Sequence, residues 1–199
     1  VGHGAIEQLS VLEGHKKAFI CTGGHSMRRG GFLQKTEEAL HKAGIETYTM
    51  EGIDPDPSIE KVREGAKAME EFGRIDVLIN NAQASASGVT LADHTTEQFD
   101  LALYSGLYAA FYYMKACYPH LKETKGSVIN FASGAGLFGN YGQSAYAAAK
   151  EGFRGLTRVA ATEWGPDGIN VNIVCPLAWT AQLEKFKQTY PEAFEANVK

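Results

Sequence analysis

Ser133-Gly134-Ala135-Gly136 opens a stretch that runs through glycine-rich residues to Tyr146-Ala147-Ala148-Ala149-Lys150. The run before it, Ser127-Val128-Ile129-Asn130-Phe131-Ala132, is β-branched and apolar, as a short strand is. Ser133 is therefore expected at the carboxyl end of a strand, the edge where open α/β sheets bind ligands. From Ala145 to Thr162 there is no proline and there are many alanines, which predicts a helix. Tyr146 and Lys150 then lie one turn apart on one helix face. An ammonium beside a tyrosine favours the phenolate, whose unperturbed pKa of about 10 is too high for easy proton exchange at neutral pH. Such a pair is a candidate general acid/base, and a nearby serine hydroxyl can hold a carbonyl or hydroxyl substrate against it. Taken alone, the same spacing also reads as a surface lysine beside a packed tyrosine.

The chain has 199 residues, enough for one α/β domain with a real core. Hydrophobic residues make up 44% and the formal net charge is −4, with lysines and arginines scattered rather than clustered, so no nucleic-acid surface is expected. Cys21, Cys117 and Cys175 sit in apolar stretches without metal-ligand spacing and read as buried thiols in a reducing cytoplasmic setting. Six histidines include no pair at ligand spacing, so no metal is expected. The longest apolar stretch, Leu101 to Met114, is too short for a bilayer and is broken by Ser105 and Gly106, so neither a membrane span nor a signal peptide is expected.

In chain order, Lys16 to Cys21 reads as a buried strand broken by Thr22-Gly23-Gly24. Phe32 to Ala43 has helical spacing of apolar residues, with Gly44 as its stop. Ile45 to Met50 is a second strand. Ser58 is the candidate cap of a helix from Ile59 to Phe72, and Ile75 to Asn80 is a third strand. Thr96 is the candidate cap of a long helix from Glu97 to about Leu121, apolar on most sides. Gly106 inside that helix costs about 1 kcal/mol relative to alanine and predicts close packing or a local kink.

Ser133, Tyr146 and Lys150, together with Asp76-Val77-Leu78-Ile79-Asn80-Asn81-Ala82 and Gly168-Ile169-Asn170-Val171-Asn172-Ile173-Val174-Cys175-Pro176, resemble the short-chain dehydrogenase/reductase family from about Phe72 to the C-terminus. The resemblance implies an NAD(P)-dependent oxidoreductase acting on an alcohol or carbonyl small molecule. Ser133 would orient substrate and Tyr146 would exchange the proton. Lys150 would lower the tyrosine pKa and hold the nicotinamide ribose. It places Thr22, Gly23, Asn80, Asn81, Ala82, Lys150, Pro176 and Thr180 at the NAD or NADP site. In the family the long helix carries a water-holding catalytic asparagine, and the matching place here is Gly106. The family also pairs this helix and the Tyr146 helix with a partner subunit, so a homodimer is expected. Tyr104, Leu107, Tyr108, Phe111 and Tyr112 supply the apolar surface.

Residues 1 to about 70 read differently. Thr-Gly-Gly-His-Ser-Met at 22–27 and Gly52-Ile53-Asp54-Pro55-Asp56-Pro57-Ser58 resemble the N-terminal domain of iron-containing alcohol dehydrogenases. The expectation is thus a chimera joined near Glu70-Glu71-Phe72-Gly73, a single α/β domain over 1–199 with halves 1–72 and 73–199. Met27 and Arg29 stand where the short-chain phosphate loop has glycines, and bulky side chains there would obstruct a pyrophosphate. Weakened NAD(P) binding and impaired turnover follow, or a folded chimeric or designed protein without efficient activity. The expected fold is three-layered and Rossmann-like or flavodoxin-like. Its five parallel strands lie near 17–22, 45–50, 75–80, 127–132 and 169–174. Removing one strand–helix unit from the short-chain order leaves 2-1-3-4-5.

Overall fold

The computed structural model describes residues 16–22, 26–52 and 73–176 continuously, with short helical pieces between 60 and 70 and between 184 and 195. The expected cap Ser58 and the termini lie outside the described residues. The chain divides into two compact units, residues 2–75 and 76–199.

In the first unit, β1 (Lys17–Cys21) pairs in parallel with β2 (Glu46–Met50), Lys17 opposite Glu46 and Cys21 opposite Met50. A short helix α1 (Ser26–Arg29) and then α2 (Phe32–Lys42) connect them. Leu33 and Leu40, two turns apart, are the buried stripe of α2. Gly44 takes φ 76°, the left-handed turn that ends a helix and sends Ile45 into the core.

In the second unit, β3 (Val77–Asn80), β4 (Ser127–Phe131) and β5 (Asn170–Val174) form a parallel sheet in that order. Between β3 and β4 runs a helix in three pieces: α3 (Thr96–Ala102), a π-helical segment (Leu103–Tyr108) and α4 (Ala109–Thr124). Its cap is Thr95, one residue earlier than expected, because Thr95 and Gln98 exchange side chain-to-backbone hydrogen bonds in a capping box. The short helix α5 (Gly134–Phe138) and the long α6 (Ser144–Trp164) lead from β4 to β5. Met114, Cys117, Leu121, Val128, Phe153 and Ile169 are the core of this unit. Within it sits a polar bolt: Asn130, fully buried, accepts from Asn80 Nδ2 at 2.8 Å and donates to Thr157 Oγ1 at 2.9 Å. It joins β3, β4 and α6 by groups that water cannot reach.

Each expected strand is present, and every observed pairing is one that the order 2-1-3-4-5 contains. The continuous five-stranded sheet is not what the described ladders show: they form a two-stranded and a three-stranded sheet. A strand's composition reports its burial but not which edge it meets, and the connection from β2 to β3 that bears on the order lies largely outside the described residues. The thiols also differ from expectation. Cys117 is buried, but Cys175 is exposed because it lies just past the end of β5.

Candidate active site

Three parallel strands end at one edge of the second unit, and the chain leaves each of them through a candidate residue. Asn81 and Ala82 follow β3 and are exposed. Ser133 follows β4, and Pro176 follows β5 and is exposed. The Asn80 side chain points the other way, into the polar bolt.

Ser133 is the N-cap of α5, its Oγ accepting from the Ala135 N–H at 3.2 Å. Its backbone carbonyl accepts from Arg154 Nη2 at 3.5 Å, so α6 steadies the turn that presents it. Tyr146 and Lys150 lie one turn apart on α6, as their spacing predicts. Among the described residues the Tyr146 hydroxyl makes no hydrogen bond, so neither Ser133 nor Lys150 occupies it. Lys150 is only 3% exposed, and its Nζ donates to the Phe131 carbonyl at 2.6 Å. That ammonium stands 5.5 Å from the centre of the Tyr146 ring and 4.8 Å from that of Phe153. Burial in this apolar slot lowers the Lys150 pKa from 10.5 to about 8, against a smaller opposing effect of the Cys175 sulfur. At neutral pH the group is still about ten to one protonated. Its positive charge therefore stands over the Tyr146 ring, and among the described residues no hydrogen bond joins it to the hydroxyl.

The start of α6 is strapped to the loop after β3. Gly88 N–H donates to the Gly142 carbonyl at 2.8 Å, and Val89 bridges Gln143 in parallel. His94 Nδ1 lies 3.2 Å from Ser144 Oγ in the first turn of α6.

Several contributing residues were not singled out by sequence reasoning. Asn130 looked like one polar residue in a strand; its burial depends on partners 50 and 27 residues away. Arg154 forks onto the Cys175 sulfur at 3.5 and 3.6 Å while holding Glu151. Gln83 packs against Gly106, the close packing that was one of the two expectations there, and a π-helical segment runs through that glycine. In the first unit, Arg28 does not stand as a spare cation: it forks onto Glu51, just past β2.

Each unit, taken by itself, has a polar group left over. Thr22, at the end of β1, is buried with its Oγ1 lacking a partner among the described residues. Lys150 spends one of three N–H donors on Phe131. Spare donors of this kind fit a hydroxyl-bearing ligand such as a ribose. Gly23, Thr180 and the side chain of Met27 lie outside the described residues.

The parallel strands and the helices that connect them define a Rossmann-like α/β protein. The chain belongs to the short-chain dehydrogenase family, which it matches over residues 29–190. It is 64% identical over 171 residues to a 12alpha-hydroxysteroid dehydrogenase of a Clostridium species, covering 84% of this chain and 66% of that one. It is 32% identical over 174 residues to a 3-oxoacyl-acyl-carrier-protein reductase of Thermotoga maritima, covering 87% of this chain and 69% of the relative. Levodione reductase superimposes with a TM-score of 0.78 at 28% identity over 98% of this chain and 76% of its own. NAD+-bound xylitol dehydrogenase does so with a TM-score of 0.72 at 27% identity, over 88% and 65%. The chain thus spans just under two thirds of the Clostridium enzyme's length. The family match runs unbroken through residues 70–73, where a junction was expected, and the comparisons give the iron-containing alcohol dehydrogenase resemblance no support. They give none to a chimera or to impairment by one either.

Proposed function

We propose that this chain is an NAD(P)-dependent oxidoreductase that interconverts a secondary alcohol and its ketone on a small molecule of the hydroxysteroid class. The observation that carries this is the buried Lys150 ammonium, pinned to Phe131 at the sheet's ligand edge with the Tyr146 ring one helical turn away. The nicotinamide supplies the hydride acceptor or donor. The Tyr146 oxygen takes the proton of the substrate hydroxyl in oxidation and returns it in reduction. Lys150 keeps a positive charge over the Tyr146 ring, and its remaining N–H groups would hold the cofactor ribose. Ser133 offers its hydroxyl to the substrate oxygen. The family resemblance assigns Thr22, Gly23, Asn80, Asn81, Ala82, Pro176 and Thr180 to the cofactor; of these, Asn81, Ala82 and Pro176 follow strands of the second unit and are exposed. The steroid class rests on the identity with the Clostridium enzyme.

The functional unit in this reading is a cytoplasmic homodimer of single-domain chains. Among the described residues no helix is long and apolar enough to cross a membrane. Tyr104, Tyr108, Phe111 and Tyr112 form an exposed aromatic ridge with neighbouring rings 4.9 to 6.3 Å apart, the surface a second copy would cover. The test of function is Tyr146→Phe with a 12α-hydroxysteroid and NAD or NADP, followed by nicotinamide absorbance. Turnover is lost, while cofactor binding read by Trp164 fluorescence is kept. A phenylalanine variant that turns over at the parental rate refutes the assignment.

A further inference from the structure

Tyr146, Lys150 and Arg154 stand on successive turns of α6. The second and third each hold the chain where it leaves β4. Lys150 Nζ donates to the Phe131 carbonyl at 2.6 Å, and Arg154 Nη2 donates to the Ser133 carbonyl at 3.5 Å, a long contact that charge assists. The spacing of the two matches. Four residues of helix rise about 6 Å, and two residues of extended chain span about 6.6 Å. Ser133 is extended, with φ −151° and ψ 151°, and alternate residues of an extended chain face the same way.

Arg154 has further holds, and its side chain is only 13% exposed. Nη1 and Nη2 reach the Cys175 sulfur at 3.6 and 3.5 Å, one residue past the end of β5, the strand paired with β4. Nε donates to the Glu151 carboxylate at 3.1 and 3.2 Å. Glu151 in turn lies against α5, the helix that Ser133 caps: a Cβ at Gly136 would stand 2.5 Å from its Oε1. A guanidinium is a rigid planar fork, so the acceptors it holds keep a fixed spacing, which a single flexible ammonium does not impose. The exits of two adjacent strands and the start of α5 are thus referenced to one side chain of the helix that carries Tyr146.

We propose that Arg154 is a positioning residue of the reaction: it fixes the Ser133 hydroxyl relative to the Tyr146 hydroxyl by tying the turn that carries Ser133 to α6, with Cys175 as the fork's second hold. The inference rests on the function proposed above. There two hydroxyls converge on one substrate oxygen, one from a helix and one from a turn, and the turn is the member that needs bracing. A misplacement of about 1 Å is enough to lower a rate by about a hundredfold.

The test uses the full chain with a 12α-hydroxysteroid and NAD or NADP. Arg154→Met keeps an unbranched stem and removes the fork. Its kcat falls by about tenfold to a hundredfold, while cofactor KM stays within about twofold. In a Ser133→Ala background the same substitution lowers kcat by no more than about twofold, because the hydroxyl that Arg154 positions is already gone. A merely structural role lowers kcat equally in both backgrounds. Parental kcat in Arg154→Met overturns the proposal, as does an equal loss with and without Ser133. If the parent chain turns over no alcohol, the proposed function fails, and the bracing is judged on the Ala135 N–H, which donates to Ser133 Oγ at 3.2 Å. Its hydrogen exchange, followed by NMR, speeds up by about tenfold or more in Arg154→Met while that of Val171 in β5 holds. An unchanged rate at Ala135 overturns the proposal. The same measurement decides where Ser133→Ala leaves too little turnover to compare.

Discussion

Replacing Lys150 with methionine separates what the ammonium costs the fold from what it gives the chemistry. The side chain is 3% exposed, and burial takes its pKa from 10.5 to about 8. A fall of that size is worth roughly 3 kcal/mol against the charged form. Below about pH 8 the lysine is protonated in the folded and the unfolded chain alike, and the whole cost is present. Between about pH 8 and 10.5 the folded lysine gives up its proton while the unfolded one keeps it, so stability from this group rises with pH. Above 10.5 both are neutral and the cost is gone. Methionine fills the slot without charge but leaves the Phe131 carbonyl without its donor, a loss of about 1–2 kcal/mol. Lys150→Met is therefore more stable than the parent by about 1–2 kcal/mol at neutral pH and less stable by a similar amount above pH 10.5, while turnover disappears. Urea unfolding of both proteins at a series of pH values gives the two curves. Curves that stay parallel across the whole range would show that the buried amine titrates normally, and the account of Lys150 would be wrong.

Asn130→Leu removes the polar bolt and strands the Asn80 amide, which is 8% exposed; a loss of about 2–3 kcal/mol in urea unfolding is expected. An unchanged midpoint would show that water already serves Asn80. Val159→Asp places a carboxylate on α6 at a residue 54% exposed beside the aromatic ridge, and sedimentation should then report monomer where the parent reports dimer. A parent that sediments as monomer at high concentration removes the ridge from the assembly argument.

The strands were legible because each is a short β-branched run between turn residues, and Tyr146 with Lys150 was legible because a helix turns once in four residues. What stayed hidden depends on contacts between distant segments. A π-helical segment shifts the register by one residue, and the apolar periodicity across Leu103–Tyr108 is too loose to show it. The Lys150 partner is a backbone carbonyl, which carries no sequence signature at all. Gly106 looked like a break in a helix, and only its contact with Gln83 ties it to the loop after β3. The iron-containing alcohol dehydrogenase resemblance leaned on glycine- and proline-rich turns. Gly52 shows why that misleads: its φ of 70° is a local demand for left-handed backbone, which unrelated loops share.

The strap between Gly88 and Gly142 has a consequence for how such a protein changes over time. The two residues meet backbone to backbone, and a Cβ on Gly142 would stand 2.9 Å from Gly88 Cα. Neither contributes a side chain, so the gap between the loop after β3 and the first turn of α6 does not depend on what the flanking residues are. Ser87 and Tyr141 stand beside the two glycines without supplying that contact. Side chains beside the strap can then change over time while the backbone contact that fixes the start of α6 persists.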